Sequence, residues 1–149
     1  MFSNNEISKL RKKFWISFGM YMKPVPGCKG EPVNWLNYNT GIRGIYFKLD
    51  ASIHSAIISI ELRHPLEADR MHCYHQFESM KNLLHQSTGY DWEWKVNMED
   101  ENKQLISSIS LQLEKVSISN EADWPAIISF LKPRIIALDN FWEIVKDVF

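Results

Sequence analysis

The chain has 149 residues, of which 45% are hydrophobic, enough for one packed domain over residues 1–149 and too many for a wholly disordered chain. Its 17 Lys and Arg against 18 Asp and Glu exclude a strongly basic nucleic-acid binder, and its two cysteines are too few for a disulfide framework. No run approaches the ~20 apolar residues of a membrane span and Met1 to Lys13 has no apolar signal region, so we expect a reduced, cytoplasmic protein without a membrane partner.

The N-terminal segment predicts an amphipathic helix over residues 5–22. Ser3 and Glu6 have the Ser-x-x-Glu spacing of a capping box. Apolar residues then recur at helical spacing, at Ile7, Leu10, Phe14, Phe18 and Tyr21. Two prolines and a glycine in residues 24–27 end the helix.

Five strands are predicted in the rest of the chain. Val33–Tyr38 is a short candidate before a turn signal. Residues 45–49 and 56–63 alternate between apolar and polar side chains, which predicts an antiparallel hairpin with one face on a core. The last two candidates are residues 91–97, with Trp92, Trp94 and Val96 on one face, and residues 105–113, with Leu105 and Ile109 on one face.

Two more helices complete the predicted fold. His64-Pro65 opens the middle one and Gly89 ends it. The C-terminal one carries a seven-residue apolar repeat, at Ile128, Leu131, Ile135, Leu138, Trp142, Val145 and Phe149. The result is an α+β domain with a mostly antiparallel sheet of about five strands. An N-terminal, a middle and a long C-terminal helix pack on this sheet, the last kinked or split near Pro133.

Carboxylates on the predicted strands suggest one enzymatic interpretation. Metal-dependent nucleases of the PD-(D/E)xK type place an acidic residue and then an acidic-x-Lys pair on neighbouring strands, where the carboxylates hold Mg²⁺. Asp50 precedes Glu61 and Arg63, although arginine stays protonated and cannot act as a base. Glu93 and Lys95 fit the pair better but lack an upstream partner. A Mg²⁺-dependent phosphodiesterase that uses Asp50, Glu61 or Glu93 with Lys95 is one alternative, and no other cofactor is expected.

Histidine and cysteine patterns indicate no metal site. His72 and His75 are three positions apart on the predicted middle helix, but no third ligand stands at a recognisable spacing, and Cys73 belongs to the apolar stripe. Cys28 lies beside Lys29, whose charge would lower the pKa of the thiol. No neighbouring base is evident, so we interpret Cys28 as an incidental free cysteine.

Charge is uneven along the chain. Residues 1–48 hold eight basic and two acidic side chains, and the remaining residues hold nine basic and sixteen acidic ones. Nucleic-acid contact is predicted for the basic residues Lys9, Arg11, Lys12 and Lys13 of the first helix, which would meet phosphates. Trp35, with Tyr38, would stack on bases.

Several runs resemble a bacterial family of domains of unknown function. They are residues 11–15 (RKKFW), 18–26 (FGMYMKPVP), 34–38 (NWLNY), 40–42 (TGI), 58–61 (ISIE), 123–128 (DWPAII) and 141–142 (FW). Members of that family occur alone or as the C-terminal part of longer proteins behind a nuclease-like domain. The resemblance therefore implies an accessory role in DNA processing or defence. It implies no established activity, so no catalytic residues carry over to this chain.

These observations favour a non-enzymatic binding or accessory module whose partner is a protein or a nucleic acid. The common nucleotide-binding, serine-hydrolase and zinc-protease motifs are absent from the sequence. A homodimer formed through the C-terminal apolar repeat is a third interpretation, beside the phosphodiesterase.

Overall fold

A computed structural model describes residues 2–89 and 92–149, and within them it has the predicted α+β architecture. Helices pack on one face of a four-stranded antiparallel sheet. In this described part of the chain, no helix combines the length and the apolar character needed to cross a bilayer.

The first helix, α1, spans Asn4–Met22, which confirms the prediction to within one residue. Ser3 caps it, since its Oγ accepts a hydrogen bond from the Glu6 amide at 3.2 Å. Phe14 and Phe18 are fully buried and anchor the helix in the core.

The predicted strand Val33–Tyr38 is wrong. The segment is a loop that contains one 3-10 turn, Trp35–Asn37. Asn34 starts this turn, because its Oδ1 accepts a hydrogen bond from the Asn37 amide at 3.2 Å. A side chain that bonds its own backbone in this way favours a turn over an extended strand. The loss of this strand explains why the sheet has four strands and not five.

The sheet contains β1 (Ile45–Ala51), β2 (Ser55–Leu62), β3 (Glu93–Glu99) and β4 (Leu105–Glu114) in the order β1-β2-β4-β3. All neighbouring strands are antiparallel, and β1 and β2 form the predicted hairpin. Asp91, where the predicted fourth strand begins, lies outside the described residues.

The two faces of the sheet differ, as the alternation of its strands predicts. The face under the helices is apolar and buried, and includes Ile45, Phe47, Ala56, Ile58, Ile60, Leu62 and Ile109. The opposite face, here called the polar face, carries Tyr46, Lys48, Asp50, Glu61, Glu93 and Lys95, with Ser59, Ser108 and Ser110 between them.

A bulge interrupts β3 between Lys95 and Met98. Asn97 adopts a φ of 49°, in the left-handed region. Val96 is consequently 46% exposed, which contradicts its predicted place on the core face, whereas Trp94 packs against the core. The pairing of β3 with β4 is regular only on either side of this point.

The predicted middle helix is in fact two helices. They are α2 (Glu67–Ser79) and α3 (Lys81–Thr88), separated by Met80 with a φ of −110°. The first begins two residues after Pro65, not at it. The carbonyl of Pro65 accepts a hydrogen bond from Nη1 of the buried Arg70 at 3.2 Å, which fixes the approach to the helix.

The C-terminal helix, α4, spans Trp124–Val145 and continues through Pro133 as one helix, not as two abutting ones. Pro133 lacks an N–H and leaves the carbonyl of Ser129 without a helical partner, but both residues are exposed and water can satisfy that carbonyl. The apolar repeat is buried in the core of this same chain, at Leu131, Ile135, Leu138, Trp142 and Val145. Most of the repeat is therefore covered within the chain and is not available for the predicted homodimer.

Candidate functional site

The carboxylates predicted to bind Mg²⁺ lie on the polar face, but the register of the hairpin separates them. Asp50 pairs with Ile57. Glu61 lies four positions further along β2, opposite Tyr46. At about 3.3 Å per residue, four positions place the two carboxylates roughly 13 Å apart.

Glu61 belongs to a chain of ion pairs centred on Arg63. The guanidinium donates from Nε to Glu61 Oε1 and from Nη1 to Asp100 Oδ2, each at 2.8 Å. The hydrogen bond from Arg63 is the main reason that the pKa of Asp100 lies below its usual value. Arg63 thus neutralises Glu61, one of the carboxylates predicted to bind Mg²⁺.

Glu93 and Lys95 form an exposed ion pair at 3.5 Å, away from Glu61. Lys95 and Glu61 both lie opposite Ser108 of β4, on its two sides. They are therefore two strand spacings apart, about 10 Å. Within residues 2–89 and 92–149, no three His, Cys, Asp or Glu side chains are placed to hold a metal ion. The residues of the phosphodiesterase interpretation are not brought together.

The histidines of α2 have other neighbours. His75 Nδ1 lies 3.3 Å from Glu78 Oε1. The buried Cys73 places its Sγ 3.6 Å from Nε2 of His64, and burial raises the pKa of its thiol. His72, which precedes Cys73 in the sequence, is exposed.

The thiol of Cys28 has a raised pKa, contrary to the sequence-based expectation. Desolvation is the main cause, followed by the negative charges of Asp139 and Glu143. Lys29 opposes them only weakly, because its Nζ bonds Glu143 at 2.5 Å. The thiol is therefore protonated at neutral pH, and its surroundings do not activate it as a nucleophile.

The aromatic residues predicted to stack on bases are directed towards the interior. Trp35 is 3% exposed, and its indole N–H donates to the carbonyl of Val25 at 2.9 Å. The hydroxyl of Tyr38 donates to Asp139 at 2.5 Å. Asp139 is itself buried and also accepts a hydrogen bond from the Cys28 amide at 2.9 Å. These contacts fasten the loop after α1 to α4.

A polar cleft of about 260 Å³ lies between that loop and α4, above Asp139. On its rim, Glu143 is bonded by Lys29 at 2.5 Å and by Lys146 at 2.9 Å. Asp139 and Glu143 already have partners within the chain, so these two residues of the cleft fasten the loop to α4. The sequence analysis did not identify Asp139, although an acidic residue next to Leu138 of the apolar repeat could have indicated a buried carboxylate.

Three of the predicted basic residues share one side of α1. Lys12 and Lys13 lie three and four positions after Lys9, the spacing of neighbours on a helix. Arg11 lies two positions from Lys9, which is about 200° around the helix, and projects from the other side. The side chains of all four basic residues are exposed. Lys9, Lys12 and Lys13 are here called the basic face.

Most of the basic face is not neutralised by acidic neighbours. Lys13 bonds Glu121 at 2.8 Å, but both side chains are more than half exposed, so the pair is weak. Lys9 and Lys12 form no ion pair with any described residue. Other basic residues are bonded to carboxylates, among them Lys29, Arg63, Lys95 and Lys146.

A groove of about 430 Å³ runs beside the basic face, between α1 and the start of α4. Its lining residues are Ser17, Tyr21, Glu121, Trp124, Pro125, Ile128 and Ser129. We call it the α1–α4 groove.

Tyr21 is 58% exposed in this groove, whereas the sequence analysis placed it in the apolar stripe of α1. The stripe instead continues from Phe14 and Phe18 to Met22, which is buried. These three residues follow one another at four-residue steps, and that regularity was the signal that Tyr21 lies off the stripe.

Trp124 forms the opposite wall of the groove and is held firmly. Its indole N–H donates to the carbonyl of Ile118 at 2.8 Å, and its ring meets Phe14 edge-on with centroids 5.5 Å apart. Lys13 Nζ lies 5.9 Å from the centroid of the ring. Asp123 precedes Trp124, but its side chain does not cap α4, because its carboxylate accepts a hydrogen bond from the Ser117 amide.

The family model of a domain of unknown function (DUF4268) matches residues 10–146 of the chain. No curated protein and no solved structure matches it. The match covers residues 10–22 of α1, the sheet and α4, and therefore both walls of the α1–α4 groove, whereas Lys9 precedes it.

Proposed function

Since the chain belongs to the DUF4268 family, whose function is unknown, we propose a role from its own surface: it is a non-enzymatic module that binds nucleic acid through the basic face of α1. The observation that carries this proposal is that Lys9 and Lys12 are exposed and have no acidic partner among the described residues. Unpaired cations on one helix side attract phosphates and release the counterions condensed on them.

The net charge of the chain limits the strength of this binding. At −1 overall, only the local charge of the N-terminal third attracts a polyanion. We therefore expect weak, salt-sensitive binding, with a Kd in the range of about 10⁻⁶ to 10⁻⁴ M that is usual for non-specific contacts.

Two observations support an accessory role over a catalytic one. The separation of Asp50 from Glu61 and the pairing of Glu61 with Arg63 speak against a metal-dependent active site on the polar face. The resemblance to domains that follow nuclease-like domains supports a partner function in DNA processing or defence.

The test is fluorescence anisotropy with labelled single- and double-stranded DNA and RNA at low and physiological salt. The double variant Lys9→Glu, Lys12→Glu should lose most of the binding. Replacing the same two lysines by glutamine should reduce the slope of log K against log salt by about 0.7 to 0.9 for each lost contact.

Arg11→Glu is the matched control for Lys9→Glu alone, because each reverses one positive charge on the same helix, but on different sides of it. Arg11→Glu should weaken binding much less than Lys9→Glu does. Absence of binding at low salt, or an equal loss in Arg11→Glu and in Lys9→Glu alone, would contradict the proposal.

A protein partner is the second candidate function. Ile16 and Met20 lie on the same side of α1 as Lys9 and are 57% and 71% exposed. Exposed apolar side chains beside cations also suit an acidic protein surface. Replacing Ile16 and Met20 by serine should leave nucleic-acid binding unchanged, and a loss of binding to a captured protein partner would favour this second candidate.

A further inference from the structure

We propose that the nucleic acid is single-stranded and that the α1–α4 groove receives one of its bases against Tyr21. This inference rests on the proposed function and adds the substrate class and a binding site for the base. The lysines hold the backbone of the strand, while the groove accepts a base that is free of a complementary strand.

The argument begins with one row of residues along α1. Lys9, Lys13, Ser17 and Tyr21 follow one another at four-residue steps, so each is the helical neighbour of the next. The row is about 18 Å long, at 1.5 Å per residue. The row winds about 120° around the helix between Lys9 and Tyr21 and leads from the basic face into the groove, with cations at one end and an exposed aromatic ring at the other.

The walls of the groove suit a flat, uncharged ring. Tyr21 is 58% exposed and makes no hydrogen bond or ring contact with the described residues, so a face of its ring is available. Opposite it stand Trp124, Pro125 and Ile128 on α4. Aromatic side chains beside a basic track are how proteins bind single strands without sequence preference, since every base has a stacking face.

The groove disfavours two other occupants. In a duplex the faces of the bases are covered by their neighbours, so no base can lie against Tyr21. An acidic peptide would bring a carboxylate next to Glu121, which lines the groove. A base carries no charge, and the amino groups of cytosine and adenine can donate hydrogen bonds to a carboxylate.

The experiment compares a fluorescein-labelled single strand of about 15 nucleotides with the duplex of the same sequence, by anisotropy at low salt. The wild-type protein should prefer the single strand. Tyr21→Ala should weaken binding of the single strand about tenfold or more and leave duplex binding unchanged. Tyr21→Phe keeps the ring and should bind as the wild type does.

Tyr46→Ala is the matched control, because Tyr46 is another exposed tyrosine, 41% exposed, but on the polar face of the sheet. It should bind as the wild type does. Since Tyr21 contributes to no buried contact, Tyr21→Ala should also keep the wild-type thermal melt, which separates a lost contact from a lost fold.

The outcomes distinguish this inference from the function on which it rests. If Lys9→Glu, Lys12→Glu abolishes binding but Tyr21→Ala does not weaken it, the groove inference is overturned and the basic-face proposal stands. Equal affinity for the single strand and the duplex also overturns the groove inference. Displacement of the bound single strand by poly-glutamate of the same total charge overturns it as well. No binding of either nucleic acid at low salt overturns both.

Discussion

The hydroxyl of Tyr38 donates a hydrogen bond to the buried carboxylate of Asp139, 101 positions away in the chain, with the two oxygens 2.5 Å apart. The other oxygen of Asp139 accepts a bond from the Cys28 amide. A connection of about twenty residues between α1 and β1 would ordinarily be mobile. Here Cys28 and Tyr38 of the connection both bond Asp139 of α4, which explains how a segment with so little regular structure is held in one position.

Tyr38→Phe should lower the free energy of unfolding by about 2 kcal/mol, because it leaves an oxygen of buried Asp139 without a donor. Urea denaturation measures the loss. Tyr46→Phe removes a hydroxyl that bonds no described residue, and should change the stability by less than about 0.5 kcal/mol. Equal effects of the two substitutions would mean that the Tyr38–Asp139 bond contributes nothing.

The same bond makes stability depend on alkaline pH. Burial, and then the hydrogen bond to Asp139, raise the pKa of Tyr38 above the value near 10 of a free tyrosine. The folded state thus holds this proton more tightly than the unfolded state. The stabilisation that Tyr38 contributes is therefore present in full below about pH 10 and declines as the pH rises further.

The difference in unfolding free energy between the wild type and Tyr38→Phe should therefore narrow as the pH rises from about 8 to about 11. Denaturant melts at several pH values measure this trend. A difference that stays constant over that range would show that Tyr38 titrates alike in the folded and unfolded states.

Gly44 is a glycine at which a side chain would meet both an unfavourable backbone angle and a neighbouring side chain. Its φ is 85°, and a Cβ there would lie 2.5 Å from the ring of His64. Gly30 has a similar φ of 81°, but a Cβ added there would meet no atom within 4 Å, so Gly30→Ala isolates the backbone cost of about 1–2 kcal/mol. Gly44→Ala should destabilise clearly more than Gly30→Ala in thermal and urea melts.

A double-mutant cycle identifies the source of that excess. When His64→Ala is already present, the added cost of Gly44→Ala should fall to that of Gly30→Ala, because the ring that the Cβ would meet has gone. Additive losses in the cycle would show that the clash with His64 is not the cause.

Trp142→Ala should destabilise the domain by about 3–5 kcal/mol. Trp142 is 2% exposed, packs against Phe77, and donates its indole N–H to the carbonyl of Thr40 at 2.7 Å. Ile144→Ala, on the solvent side of the same helix at 68% exposure, should cost less than about 0.5 kcal/mol. A loss below about 1 kcal/mol for Trp142→Ala in denaturant melts would contradict its central place in the core.

The helices and the central hairpin could be predicted because burial repeats at a fixed period. The apolar repeat that includes Leu131 and Trp142 is buried as expected, since a stripe at this spacing must cover a core. The prediction of a strand at Val33–Tyr38 was wrong because six residues are too few to distinguish a helical from a strand period. The contact that decides the conformation is the local hydrogen bond between Asn34 and the Asn37 amide, which an alternation of apolar and polar residues does not reveal.

The arrangement of the candidate site could not be predicted in the same way. The distance between Asp50 and Glu61 depends on hairpin register, and the neighbours of Tyr21 depend on where Trp124 packs, far along the chain. The basic residues were recognised from the sequence, and their spacing on the predicted helix already separates Arg11 from the basic face. Contacts between distant elements are set by packing, which residue spacing does not encode.

The bulge in β3 also bears on how copies of this domain behave in concentrated solution. β3 lies at an edge of the sheet, where a regular strand would expose an unbroken row of amide and carbonyl groups to another molecule. The turn of the backbone at Asn97 breaks that row, and Lys95 adds a charge beside the break. An approaching strand would find a matching edge over only a few residues, which protects this edge of the sheet against edge-to-edge aggregation.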